Sequence, residues 1–136
     1  MSETILIADD HPLFRQAMAM AVGKVRPQAR IVEAGTLAAA ASAAVAADNL
    51  ILILLDLNLP DASGIDILKR VKENNHLKAT PVVVLTTTDD SHEIKRCYEL
   101  GCNVYITKPV NYESFANAIR QLGLFFSVIQ VPSAAT

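Results

Sequence analysis

The stretch "LILLDLNLPDASGID", Leu52 to Asp66, begins as a buried strand, yet its apolar run closes on Asp56, followed by Asn58, Pro60 and Gly64. A short run that is apolar at every position fits a parallel strand covered on both faces. A carboxylate at the end of such a strand is expensive to bury unless a partner or a cation meets it there. The residue type and its place together point to a site at the strand end.

The same apolar signature recurs in "TILIA", "ARIVEA", "LILILLD", "PVVVLTT" and "NVYIT". Helical patterns separate these runs at a spacing that suits βαβ units, so the chain predicts an α/β fold with five parallel strands, each covered by helices, and five helices. The first helix is expected to start at His11 or Pro12, with Phe14, Ala17, Met18, Ala21 and Val25 on its buried stripe. Thr36 is placed to cap the alanine-rich second helix, Leu37 to Ala47. Ser63 and Gly64 precede a third helix, Asp90 and Ser91 a fourth that ends at Gly101, and a fifth starts near Asn111.

A length of 136 residues suits one domain with a real core. The formal charge of -2 gives no electrostatic footprint for nucleic acid or an anionic membrane. Cys97 and Cys102 are the two cysteines, too few for a disulfide framework or a four-cysteine metal site. The acidic start and the short apolar runs predict a soluble, cytoplasmic protein with neither signal peptide nor membrane span.

In an open parallel sheet, ligands bind beyond the carboxyl ends of the strands. There the sequence sets Asp9 and Asp10 after strand one, Asp56 after strand three, Thr86 after strand four and Lys108 after strand five. Three carboxylates in one crevice need a cation, and an oxygen set that leaves room for water and phosphate suits Mg²⁺. Asp56 then reads as a carboxylate nucleophile towards phosphorus, with the Thr86 hydroxyl and Lys108 ammonium meeting the transferred group. His11 reads as a helix start at the rim and is assigned no chemistry.

At "ILIADDHP", "ILLDLNLPDASGID", "PVVVLTTTDD" and "YITKPV" the sequence resembles the receiver domains of two-component response regulators, from Thr4 to about Leu122. The resemblance implies a flavodoxin-like, doubly wound sheet of order 2-1-3-4-5. It makes Asp56 the phosphoacceptor, Asp10 and the backbone carbonyl of Asn58 metal ligands, and Asp9 a ligand acting through water. Thr86 and Lys108 would contact the phosphoryl oxygens, Tyr105 would be the switch aromatic paired with Thr86, and the Lys108–Pro109 bond would be cis. The implied function is a signalling switch, not a turnover enzyme, that takes phosphate from a sensor histidine kinase or phosphotransfer protein and catalyses its own phosphorylation and dephosphorylation.

The segment "PVVVLTTTDD" through "LGLFF" is similar to stand-alone regulators of the chemotaxis type that are associated with phytochrome-like kinases. The opening "ADDHPLFR" is similar to receivers attached to helix-turn-helix domains, so a transcription regulator whose DNA-binding output domain is absent from this chain is the alternative. Thr87 stands where the family often has Ala or Gly. Residues 1–123 are read as the receiver and 124–136 as an apolar extension, with Leu124, Phe125, Phe126, Val128, Ile129 and Val131 predicting a homodimer.

Overall fold

The computed structural model describes residues 3–75, 77–86, 91–102 and 104–107. The expected fifth helix, the Lys108–Pro109 bond, Thr87 and the extension at 124–136 lie outside the described residues.

The elements run β1 (Thr4–Ala8), α1 (Pro12–Val25), β2 (Arg30–Ala34), α2 (Leu37–Ala46), β3 (Leu50–Asp56), β4 (Asn58–Leu59), β5 (Ala62–Ser63), α3 (Gly64–Glu73), β6 (Val82–Thr86), α4 (Ser91–Glu99) and β7 (Val104–Thr107). Five of the strands form one parallel sheet in the order β2-β1-β3-β6-β7. Counting only these, the order is 2-1-3-4-5, as expected. The strands β1 and β6 are buried at every residue and β3 at all but Leu50. Their Val, Ile and Leu side chains feed one cluster on each face of the sheet, one built on Leu6, Ile53, Leu55 and Val84, the other on Ile7, Met18, Leu54 and Leu85.

The expectation that every strand is covered on both faces fails at β2. This strand sits at the sheet edge, and Arg30 and Glu33 are exposed. Charged side chains on an edge strand blunt pairing with another chain, so the polar residues in "ARIVEA" mark the edge.

Helix starts follow local chemistry. Pro12 opens α1, where its missing N–H would have no intrahelical acceptor. Phe14, Met18 and Ala21 are buried as expected, and Val22 is buried where Val25 was expected, at 1% exposure. Thr36 Oγ1 accepts from the Ala39 N–H at 3.1 Å, capping α2. A second cap comes from far along the chain. Asp61, at the turn between β4 and β5, accepts from the Leu37 N–H at 2.6 Å and the Ala38 N–H at 3.1 Å.

The end of α4 explains the two cysteines. Gly101 takes φ +100°, Cys102 N–H donates to the Cys97 carbonyl at 3.0 Å, and Gly101 N–H donates to the Tyr98 carbonyl at 3.1 Å. This is a Schellman ending, whose apolar contact joins the residues three before and two after the cap, here Cys97 and Cys102. Both thiols are free and buried. Burial pushes the Cys97 thiol up to about 11, so it stays protonated and apolar near neutral pH.

Candidate functional site

The register of the sheet assembles the site. Ala8 pairs with Leu55, so Asp9, one residue past β1, stands beside Asp56 at the end of β3. Asp56 pairs with Leu85 on β6, which places Thr86 one residue further on the neighbouring strand. Asp9, Asp56 and Thr86 are all fully buried. Ligand atoms of Asp9, Asp10, His11 and Asp56 lie within 4.8 Å of one another.

Several contacts hold the Asp9 loop in place. The Asp9 N–H donates to the Ala34 carbonyl at 2.9 Å, and Arg15 Nη1 donates to the Asp9 carbonyl at 2.8 Å. The same guanidinium reaches Glu33 Oε1 through Nε at 3.0 Å. Gly35 makes room for it, since a Cβ there would stand 3.1 Å from Arg15 Nη1. Arg15 therefore fixes the backbone at Asp9 while its charge is balanced by Glu33. Nothing in the sequence singled it out beyond its place in "ADDHPLFR".

His11 starts α1 at the site rim, as expected, standing at its N-cap, and its ring also meets the carboxylates. Its backbone N–H donates to Asp9 Oδ1 at 2.8 Å, and its ring Nδ1 lies 3.0 Å from that oxygen. The ring also approaches Asp10 Oδ1 and Asp56 Oδ2. The residue that starts the helix thus also belongs to the carboxylate cluster.

Crowding of this kind is costly. Two carboxylates at about 4–5 Å repel by roughly 3–4 kcal/mol at an effective dielectric near 20. Asp10 Oδ1 is a buried atom with no hydrogen bond. The donor set, hard oxygens with two of the three carboxylates fully buried, fits a divalent cation. Asn58 is two residues past Asp56, at the start of β4.

On the far side of Thr86, Tyr105 on β7 is half-buried, and its hydroxyl is linked by hydrogen bonding to the side chains of Thr86 and Glu93. Burial first, then the charge of Glu93, pushes the phenol up to about 12. The Tyr105 N–H, at the outer edge of the sheet, donates to the Tyr98 hydroxyl oxygen at 3.2 Å. Of the residues named from sequence, Asp9, Asp10, Asp56, Thr86 and Tyr105 are thus brought to one end of the sheet, while Lys108 lies outside the described residues.

The model of the response regulator receiver domain family matches residues 5–120. The chain belongs to this family. It is 39% identical over 84 residues to the response regulator Rcp1 of Synechocystis sp., covering 61% of this chain and 57% of Rcp1. The chain spans about half the length of the curated relatives it matches. Among solved structures, a receiver domain from Rhodospirillum rubrum superposes with a TM-score of 0.84 at 50% identity, covering 96% of this chain and 97% of that one. The phosphorylated cyanobacterial phytochrome response regulator RcpA does so with 0.83 at 28% identity, covering 98% and 100%. The Mn²⁺-bound form of Rcp1 gives 0.77 at 28%, covering 96% and 99%. No helix among the described residues is long and apolar enough to cross a membrane.

Proposed function

We propose that this receiver domain is a phosphorylation switch in which Asp56 accepts a phosphoryl group from the phosphohistidine of a sensor histidine kinase or a phosphotransfer protein. The observation that carries this reading is the placement of one buried carboxylate at a central strand end, between the Asp9–Asp10 pair and the Thr86 hydroxyl. Likeness to RcpA, solved in a phosphorylated form, supports it.

Asp9, Asp10 and Asp56, with the backbone carbonyl of Asn58, are the residues that would hold Mg²⁺. The hard oxygen set and the Mn²⁺-bound form of Rcp1 both support a divalent ion of this kind. When bound, it would supply positive charge against the phosphoryl oxygens. The remaining work falls to the chain. An oxygen of Asp56 attacks phosphorus in line, the P–N bond to the donor imidazole breaks, and its electron pair leaves with the nitrogen, which takes up a proton. The strand end fixes the attacking oxygen before the donor arrives, which removes orientational entropy from the step. By the family resemblance, Lys108 would add an ammonium to the phosphoryl oxygens.

The switch reading follows from the Thr86–Tyr105 link. A phosphoryl oxygen on Asp56 competes with Tyr105 for the Thr86 hydroxyl. Once that hydroxyl turns to the phosphoryl group, Tyr105 loses one of the two side chains that hold its phenol, and the α4–β7 surface changes. Incubation with a small acyl phosphate and Mg²⁺ tests the proposal. Formation of an acyl-phosphoprotein that chelator prevents is expected, and no phosphoprotein at any donor concentration would overturn it.

A further inference from the structure

The ring nitrogen Nδ1 of His11 lies 3.0 Å from Asp9 Oδ1, 3.2 Å from Asp10 Oδ1 and 3.5 Å from Asp56 Oδ2. One nitrogen therefore meets one oxygen from each of the three carboxylates, which is the position of a cation that they share. We propose that the His11 imidazole is a built-in stand-in for the metal: its Nδ1 hydrogen-bonds Asp9 Oδ1, stands against one oxygen each of Asp10 and Asp56, and has to leave before Mg²⁺ takes them.

Three lines of chemistry support this. A nitrogen facing three carboxylate oxygens has to present a hydrogen, because its lone pair would add to the repulsion. Both the charged ring and the neutral tautomer protonated at Nδ1 provide that hydrogen, so the contact does not depend on the charge state. Mg²⁺ binds oxygen at about 2.0–2.1 Å and disfavours imidazole, so an ion seated on these oxygens lies too close to the ring hydrogen for both to stay. The ring is also able to leave. It is 53% exposed, and although His11 is the N-cap residue of α1, its side chain makes no capping hydrogen bond to the helix.

His11 would thus relieve carboxylate repulsion in the metal-free protein and raise the Mg²⁺ concentration needed to prepare Asp56. This rests on the metal reading above, and the test separates the two. Mg²⁺ is titrated calorimetrically into the whole wild-type chain and into His11→Ala, with thermal melts run alongside. The variant is expected to bind Mg²⁺ about three- to tenfold more tightly, the effect of removing one competing charge-assisted contact. Binding that is equal or weaker in the variant, with the wild type binding normally, would overturn the role of His11 and leave the metal reading intact. Binding by neither protein would overturn both. Should His11→Ala fail to fold, the wild-type ring protons decide. A Mg²⁺-dependent NMR shift of His11 towards the position of an exposed histidine supports displacement, and an unmoved resonance in the Mg²⁺-saturated protein contradicts it.

Discussion

The backbone N–H of Tyr105 donates to the hydroxyl oxygen of Tyr98 at 3.2 Å, so a half-exposed tyrosine on α4 satisfies the open edge of β7 at the residue whose side chain meets Thr86. Two side chains of α4, Glu93 and Tyr98, thereby hold Tyr105, one by its phenol and one by its backbone. Removing the hydroxyl in Tyr98→Phe should cost about 0.5–1 kcal/mol, the net value of an ordinary hydrogen bond that water partly replaces. The sharper readout is amide hydrogen exchange. The Tyr105 N–H should exchange faster in Tyr98→Phe, while amides of β3 keep their protection. An unchanged Tyr105 amide would mean that the contact is not kept in solution.

A second expectation concerns Asp61, whose carboxylate caps α2 from the loop that follows Asp56. Hydrogen bonding from the Leu37 N–H is the largest cause that holds its pKa below the ordinary 3.8. A depressed pKa means that the folded state favours the charged form. The stabilisation is therefore fully present above pH 3.8 and is lost as pH falls through the lower folded value. Asp61→Asn should lower the melting temperature at pH 7, and the gap from wild type should close in strong acid. A gap that is the same at both pH values would argue against the capping charge.

The carboxyl ends of β1, β3 and β6 were legible because each is a continuous apolar run closed by a residue that does not belong in a core: Asp9, Asp56 and Thr86. Adjacent strands in a parallel sheet then force those ends together, whatever the loops do. The order 2-1-3-4-5 implied by the resemblance put β2 at the edge, but its exposure was missed because Arg30 and Glu33 were read within an apolar run and not as the charges of an uncovered strand. The Asp61 cap and the grip of Arg15 on the Asp9 carbonyl had no sequence signal. Each depends on a contact made by the fold, the first across 23 or 24 positions, and neither residue type announces its partner. His11 was legible as the start of α1 at the rim, but not its approach to three carboxylates at 3.0–3.5 Å, which depends on how the strand ends bring Asp10 and Asp56 to it. Cys97 and Cys102 were legible only as too few for a disulfide framework or a metal site, and the Schellman ending shows what they do instead.

The apolar segment after Gly123 carries its own prediction, which rests on sequence. Leu124, Phe125, Phe126, Val128, Ile129 and Val131 exceed what one helix stripe hides, and burying each large side chain is worth roughly 1.5–3 kcal/mol. A homodimer through this segment is the expected outcome. Sedimentation across a dilution series should show a dimer for the full chain and a monomer for a chain cut after Gly123. A truncated chain that dimerises equally well would remove the segment from the assembly.

Locating the phosphoryl group tests the central claim most directly. Wild type and Asp56→Asn are treated in parallel with the small acyl phosphate and Mg²⁺, and intact mass and peptide mapping are followed over time. The wild type should gain one phosphoryl group, confined to the peptide that contains Asp56, and Asp56→Asn, still folded by its thermal melt, should gain none. A phosphoryl group on another residue of the wild type, or labelling of Asp56→Asn at the wild-type rate, would contradict the assignment of Asp56 as the acceptor.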